Sequence, residues 1–229
     1  MKKNSNLATQ YNGKANDFIS KTGPMNAKSA KDLFRVMDKY LDPKKKNLLE
    51  LGCGGGEELL QFSRLGFHCT GVDASIEMCE AAKRLSKDIR IFKRDFTKPL
   101  RLEAKHFDFV FSKWAIQTAM HIDPIYKSVV GVIKKNGIFC FLTVHPIRQF
   151  LEKKKSGKDY FKKEIVLSEI FDKSIVVEEP SHTMEEYLSP YFFKHFDLLE
   201  IKEGFEFPSA EQIEGDVYPT HLIIVARKK

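Results

Sequence analysis

The stretch Leu48-Leu49-Glu50-Leu51-Gly52-Cys53-Gly54-Gly55-Gly56 constrains this chain more than any other. A short apolar strand, Asn47 to Leu51, runs straight into a glycine loop, and a helix follows to about Leu65, with Gly66 as its stop. Glycines let the backbone turn sharply and approach a ligand closely. The helix start then offers free N–H groups and a positive dipole end. In doubly wound α/β folds a nucleotide-like ligand sits at such a loop.

The rest of the chain keeps the alternation going. Phe67 to Val72 reads as a second strand, ended by Asp73, and Ser75 caps a helix to about Leu85. Ile89 to Phe92 and Phe107 to Phe111 are the third and fourth strands. Pro124 to Ile133 is a helix with Asp123 as its cap, and Asn136-Gly137 turns into a fifth strand, Ile138 to Val144. Apolar strands alternating with helices imply a parallel sheet covered on both faces. Leu198 to Phe205 and His221 to Ala226 have only a loop between them and are expected to pair antiparallel at the sheet edge. The expected fold is therefore α/β: a doubly wound, mostly parallel seven-stranded sheet, Rossmann-like, with an antiparallel edge strand and a small inserted cap.

Two segments stand outside the alternation. Residues 1–42 read as an N-terminal helical arm, with a short helix around Tyr11 to Ile19, breakers at Gly23 and Pro24, and a firmer helix from Ser29 to Leu41. Leu33, Phe34, Met37, Tyr40 and Leu41 share one face of that helix, and Pro43 with the lysine run ends it. Residues 146–190 read as an inserted cap over the substrate site. They hold two β-branched runs, Glu164 to Phe171 and Ser174 to Val177, around Asp172-Lys173. Thr183 with Glu186 is a capping-box pattern, and Pro190 breaks or kinks the helix that starts there.

With 229 residues the chain fits a single domain, 1–229, that buries its core without staples. No apolar stretch is long enough to cross a bilayer, and the polar start is not followed by a signal-peptide core, so no membrane insertion and a cytoplasmic location are expected. Cys53, Cys69, Cys79 and Cys140 form no C-x-x-C pair and no zinc-finger spacing with histidine; they read as buried small hydrophobes, and no metal site is expected. The net charge of +7 includes runs at Lys44-Lys45-Lys46 and Lys153-Lys154-Lys155. These runs lack arginine forks and interleaved aromatics, so they read as solvated loops, and a nucleic-acid partner is disfavoured. The expected assembly is a monomer or small homo-oligomer.

The ligand class follows from charge. Gly52, Gly54 and Gly56 make G-x-G-x-G, and Glu57 stands where the third glycine of a dinucleotide fingerprint would be. Glu57 at the helix start and Glu50 at the strand end repel a pyrophosphate. They suit the ammonium of an amino-acid moiety, so a zwitterionic ligand with cationic groups fits better than a polyanion.

These residues resemble motif I of the class I S-adenosylmethionine-dependent methyltransferases, and the resemblance extends from Asn47 to Val144. It is closest to the small-molecule branch that includes ubiquinone and menaquinone biosynthetic enzymes. Asp73, in Gly71-Val72-Asp73-Ala74-Ser75, matches the acid that holds both ribose hydroxyls. Arg94-Asp95-Phe96 matches the segment whose acid accepts from the adenine amino group. Phe107 to Ser112 matches the fourth-strand motif, and Lys135 to Phe139 the turn before strand five. The resemblance implies S-adenosyl-L-methionine as cofactor, with S-adenosyl-L-homocysteine as product. The implied binding residues are Glu50, Gly52, Cys53, Gly54, Gly56, Asp73, Ala74, Asp95, Phe96 and Ser112. It also implies methyl transfer to a small-molecule acceptor. The Asp/Asn-Pro-Pro-Tyr/Phe motif of amino-methylating nucleic-acid enzymes is replaced by Ser112-Lys113-Trp114-Ala115. The remaining alternatives are an RNA or other nucleic-acid methyltransferase and a non-catalytic S-adenosylmethionine-binding module.

Candidates near the transferred methyl are Tyr11 on the arm, Trp114 after strand four, and His145 after strand five as the preferred base. His121 reads as a surface loop residue. The cap's aromatics, among them Phe150, Tyr160, Phe161, Tyr187, Tyr191 and Phe192, suggest an apolar acceptor pocket, though packing against the sheet accounts for most of them. Tyr187 and Tyr191 are spaced to share a helical face unless Pro190 intervenes.

Overall fold

The computed structural model describes residues 7–25, 27–42, 44–154, 158–170, 174–205, 213 and 215–229, with the side chains of 22–27 excluded. Pro43, Lys155, Phe171 and Asp172-Lys173 lie outside the described residues.

The chain opens with helices α1 (Ala15–Met25) and α2 (Ala27–Asp38). It then alternates through β1 (Asn47–Leu51), α3 (Glu57–Arg64), β2 (His68–Asp73), α4 (Ile76–Leu85), β3 (Arg90–Lys93), β4 (Phe107–Lys113), α5 (Asp123–Val132) and β5 (Ile133–Val144). A short helix α6 (Pro146–Arg148) and a π-helical turn, Gln149–Lys153, lead to a hairpin of β6 (Ile165–Ile170) and β7 (Ile175–Pro180). Helices α7 (Met184–Tyr187) and α8 (Pro190–His195) precede β8 (Phe196–Gly204) and β9 (His221–Lys228).

Seven strands form one sheet in the order β3-β2-β1-β4-β5-β9-β8. The pairs among β1 to β5 are parallel, and β9 runs antiparallel to both β5 and β8. The order turns back at β1, so the carboxyl ends of β1 and β4 open a crevice between them, as doubly wound sheets do. Alternate side chains feed two cores. Leu49, Leu51, Val110, Phe139, Phe141 and Ile224 pack toward α5 and α8. Leu48, Phe109, Phe111, Cys140 and Leu142 pack toward α2, α3 and α4. All four cysteines are buried free thiols.

The local signals hold at several element ends. Ser75 Oγ accepts from Met78 N at 3.3 Å, and Thr183 and Glu186 form a reciprocal capping box. Two details depart from the expected pattern, and the break at Pro190 is as expected. Helix α1 runs on to Met25 through Gly23 and Pro24. Asp123 lies inside α5 instead of capping it, and its Oδ1 accepts from Ser189 Oγ at 2.6 Å. Pro190 starts α8, where the missing N–H costs nothing, so Tyr187 and Tyr191 fall on different helices. Tyr187 and Phe192 are wholly buried in the sheet core, which is where these aromatics serve.

Candidate functional site

A cavity of about 1300 Å³ opens at the carboxyl ends of β1, β2 and β4. Its floor is the glycine loop. Gly52, Gly54 and Gly56 have φ of 70°, 49° and 82°, and each does a different job. A Cβ on Gly52 would stand 2.3 Å from Ala115 Cβ, so bare backbone is required there for the loop to close on the post-β4 segment. A Cβ on Gly56 would meet Ala82 of α4 at 3.0 Å. Gly54 has open space on that side and lines the cavity, so its backbone is exposed to whatever binds. Gly52 N and Cys53 N donate to the Val72 carbonyl at 2.8 and 3.0 Å, tying the loop to the end of β2.

Asp73 closes β2 and holds the loop through its carboxylate. Its Oδ2 accepts from Gly54 N at 3.0 Å and its Oδ1 from Ser75 N at 2.8 Å. Each oxygen keeps lone-pair capacity toward the cavity that Asp73 lines. Burial raises its pKa, and the backbone donors of Ser75, Gly54 and Ala74 oppose that rise. Asp95, after β3, accepts from Thr97 Oγ1 at 2.6 Å and pairs with Lys98 at 3.3 Å. Burial works to raise its pKa, but the Thr97 and Lys98 contacts outweigh it and hold the carboxyl below its ordinary value. Ala74, Phe96 and Cys53 line the same wall, with the Cys53 thiol pushed well up by burial.

Glu50 is the most unusual group here. It is 1% exposed, lines the cavity, and its Oε2 has no hydrogen-bond partner among the described residues. Burial, with Glu58 and Asp73 nearby, pushes its carboxyl well above the usual range, and Lys113 opposes the rise. A buried acceptor left unsatisfied costs about 1–3 kcal/mol or more, which a cationic donor on a ligand would recover. The floor thus fits an amino-acid-bearing nucleoside: an open carboxylate for an ammonium, Asp73 for a diol, and exposed loop backbone between them.

The roof comes from distant sequence. Leu7, Ala8, Tyr11, Phe18 and Ile19 of the arm and Ile165, Val166, Leu167 and Glu178 of the hairpin line it. Ile19 stands over the glycine loop, its Cγ1 3.1 Å from where a Gly55 Cβ would be. The Gln10 side chain clasps β7, donating to the Glu178 carbonyl at 2.9 Å and accepting from Glu178 N at 2.8 Å. Gly13 N donates to the Glu77 carboxylate on α4 at 2.8 and 2.9 Å.

The sequence-derived candidates divide. Glu50, Gly52, Cys53, Gly54, Asp73, Ala74, Asp95 and Phe96 line the cavity, as do Tyr11 and Trp114. Tyr11 packs edge-on to Phe18 at 5.1 Å, and burial raises its phenol pKa. Trp114 sits at φ 54°, and its Nε1 is buried with no hydrogen-bond partner among the described residues. His121 is exposed at the cavity rim. Three candidates stand elsewhere. Ser112 is buried and donates to the Leu51 carbonyl at 2.9 Å, so it staples β4 to β1. Gly56 is a packing glycine against α4. His145, the expected base, is outside the cavity lining: its Nδ1 accepts from Ile147 N at 3.1 Å and its Nε2 donates to Glu203 at 2.8 Å. Both ring nitrogens are thus spent on capping α6 and joining β8. Burial lowers its pKa against the pull of Glu203.

Sequence reasoning missed the Lys113–Glu58 ion pair, which lines the cavity beside Glu50. It also missed Gln10 and Ile19. Lys113 follows the fourth-strand motif and Glu58 follows the glycine loop, but their pairing exists only because β1 and β4 are neighbours.

A family model described as a methyltransferase domain matches residues 49–141. A ubiquinone biosynthesis O-methyltransferase from Pelagibacter ubique is 32% identical over 117 residues, which cover 48% of this chain and 46% of that protein. The chain thus spans about half the length of the curated relatives it matches. Among solved structures, an S-adenosylmethionine-dependent methyltransferase from Mesorhizobium loti superimposes with a TM-score of 0.67 at 20% identity, covering 84% of this chain and 96% of that one. One from Clostridium acetobutylicum gives 0.65 at 16%, covering 95% and 98%. At these identities the solved structures speak for the fold. Residues 49–141 thus match a methyltransferase domain model, and the chain has the fold of the solved S-adenosylmethionine-dependent methyltransferases.

Proposed function

We propose that this protein transfers the methyl group of S-adenosylmethionine to a small-molecule acceptor by in-line displacement at the sulfonium carbon. The observation that carries the reading is a single cavity of about 1300 Å³ that joins the motif-bearing floor to a roof of arm and hairpin. A pocket for one small ligand has roughly 300–1000 Å³, so this one has room for a cofactor and an acceptor together.

The bound cofactor supplies a methyl carbon already activated by positive sulfur. Glu50 would take the ammonium on its open oxygen, and Asp73 would accept from the ribose hydroxyls while its backbone donors oppose the pKa rise that burial causes. Asp95 would accept from the adenine amino group, and Phe96 would help to hold the adenine end. Tyr11, Phe18 and Val166 exclude water above the reacting centre, and Trp114 walls the acceptor side. The work of these residues is alignment and exclusion of solvent, the terms that matter most when the leaving group is already good. His145 is withdrawn as base, because its geometry commits both nitrogens elsewhere. The arm 1–42 and the insert 146–190 act as the cover that selects the acceptor. The chain works as a monomer or small homo-oligomer in the cytoplasm.

Calorimetric titration with S-adenosylmethionine, S-adenosylhomocysteine and NAD tests the first step. Micromolar binding of the first two and none of NAD is expected. A screen with isotope-labelled methyl donor over small-molecule acceptors, with RNA as a separate arm, tests the second. Labelling of RNA alone would overturn the acceptor class.

A further inference from the structure

The cofactor end of the cavity is rich in carboxyl groups in a chain whose net charge is +7. Glu50, Glu57 and Asp73 line it, and none has a cation within ion-pair distance among the described residues. Two lysines line the same end. Lys98 pairs with Asp95 at 3.3 Å. Lys113, at the last position of β4, pairs with Glu58 in the first turn of α3, and both side chains are mostly buried, 15% and 13% exposed. The β1–β4 register sets Glu50 opposite Phe111 and Leu51 opposite Ser112, which brings Lys113 to the mouth of the crevice beside Glu50. Its field reaches both Glu50 and Glu57. Removing either member of the pair therefore changes the local charge by one unit, in opposite senses.

Methyl transfer changes the ligand by one charge as well. The acceptor's lone pair forms the new bond to the methyl carbon, the carbon–sulfur bond breaks, and its electron pair stays on sulfur. Positive sulfonium becomes neutral thioether; the ammonium, carboxylate, ribose and adenine are unchanged. The ratio of affinities for the two ligands thus reports the electrostatic potential at the sulfur.

We propose that the Lys113–Glu58 ion pair is the specificity-setting element of this site: by fixing the net charge beside Glu50 it sets how strongly the sulfonium substrate is held over the thioether product. The pair neutralises itself, so in the parent chain it adds no net charge to the site. The inference rests on the cofactor assignment above, and its test separates the two.

The test is calorimetric measurement of Kd for S-adenosylmethionine and S-adenosylhomocysteine at pH 8 in the full chain. The variants are Lys113→Met, Glu58→Gln, the double variant, and Lys113→Arg. Lys113→Met removes a positive charge and raises the preference for S-adenosylmethionine. Glu58→Gln leaves Lys113 unneutralised and lowers it. A unit charge acting across a site of this size at an effective dielectric of about 20 is worth about tenfold in each direction. The double variant and Lys113→Arg return close to the parent ratio. A purely structural role weakens both ligands alike and leaves the ratio still. A ratio within about twofold of the parent in either single variant, or ratios shifted in the same direction in both, overturn the proposal. If Lys113→Met does not fold, Glu58→Gln and the double variant still decide it, since an unmoved ratio in Glu58→Gln is fatal. Failure of the parent chain to bind either ligand overturns the cofactor assignment instead.

Discussion

The floor and the roof of the cavity are built by different means. The floor is local: β1, its glycine loop and the end of β2 are held by backbone bonds such as Gly52 N and Cys53 N to Val72 O, and by Asp73 to Gly54 N. Little of it can change without breaking the chain path. The roof is assembled from opposite ends of the sequence, with Gln10 clasping Glu178 and Lys14 donating to the Val176 carbonyl at 3.0 Å. Among the described residues the apolar cluster that joins the arm to this hairpin is small: Tyr11 and Phe18 with the hairpin's own Ile170, Ile175 and Val177. A small apolar cluster and part-buried or exposed hydrogen bonds mark the contact between arm and hairpin as one that opens locally at low cost. A rigid floor suits an invariant cofactor, and a loosely stapled roof suits entry of an acceptor.

The largest effect is expected at Gly52. Gly52→Ala places a Cβ on Ala115 at positive φ, and should cost roughly 3 kcal/mol or more in urea unfolding. Gly54→Ala is the control within the same loop. With open space around it, stability should fall by only about 1 kcal/mol, while cofactor affinity drops at least tenfold in calorimetry. Equal stability losses in the two would show that the loop is not divided into packing and binding glycines.

Asp73→Ala comes next. It removes a carboxylate that holds two backbone donors and faces the cavity, and cofactor binding should weaken by roughly 1.5–3 kcal/mol for each charged hydrogen bond lost. Unchanged affinity would remove Asp73 from the site.

Gln10→Ala tests the roof. Loss of its two bonds to Glu178 should speed hydrogen exchange at the Glu178 amide and proteolysis of the arm, with global stability lower by about 1 kcal/mol. A large global loss would mean that the roof is part of the cooperative core.

The smallest effect is a pH dependence at His145. Burial lowers its pKa below the unfolded value of 6.5, so the unfolded chain binds the extra proton more readily. Its contribution to stability is fully present above pH 6.5 and is lost as pH falls from there through the folded pKa. In His145→Gln that part of the acid slope should disappear from denaturant melts, with cofactor binding unaltered.

Most of the floor was legible because its constraints act between near neighbours. A strand followed by glycines, an acid at the end of the next strand and another acid after the third can each be read from a few residues. The same reasoning failed at Ser112 and Gly56, whose types suit ligand contact equally well but which the packing turns inward to Leu51 and Ala82. It failed at His145 for a similar reason: position after β5 suggests the ligand edge, yet Glu203 and Ile147 N hold the ring elsewhere. The roof was the least legible, since a hairpin in residues 165–180 and a glutamine at position 10 show nothing in sequence of their contact.

What the sequence alone determined is the doubly wound sheet, the glycine loop and the acids that face it, because hydrophobic periodicity and backbone conformational limits are local properties. What only the tertiary structure decided is which polar groups face the cavity and which are spent on the scaffold. The union of Lys113 with Glu58 and of Gln10 with Glu178 depends on strand order and on long-range packing, and side-chain partners across such distances are chosen by burial, where an unpaired polar group is costly.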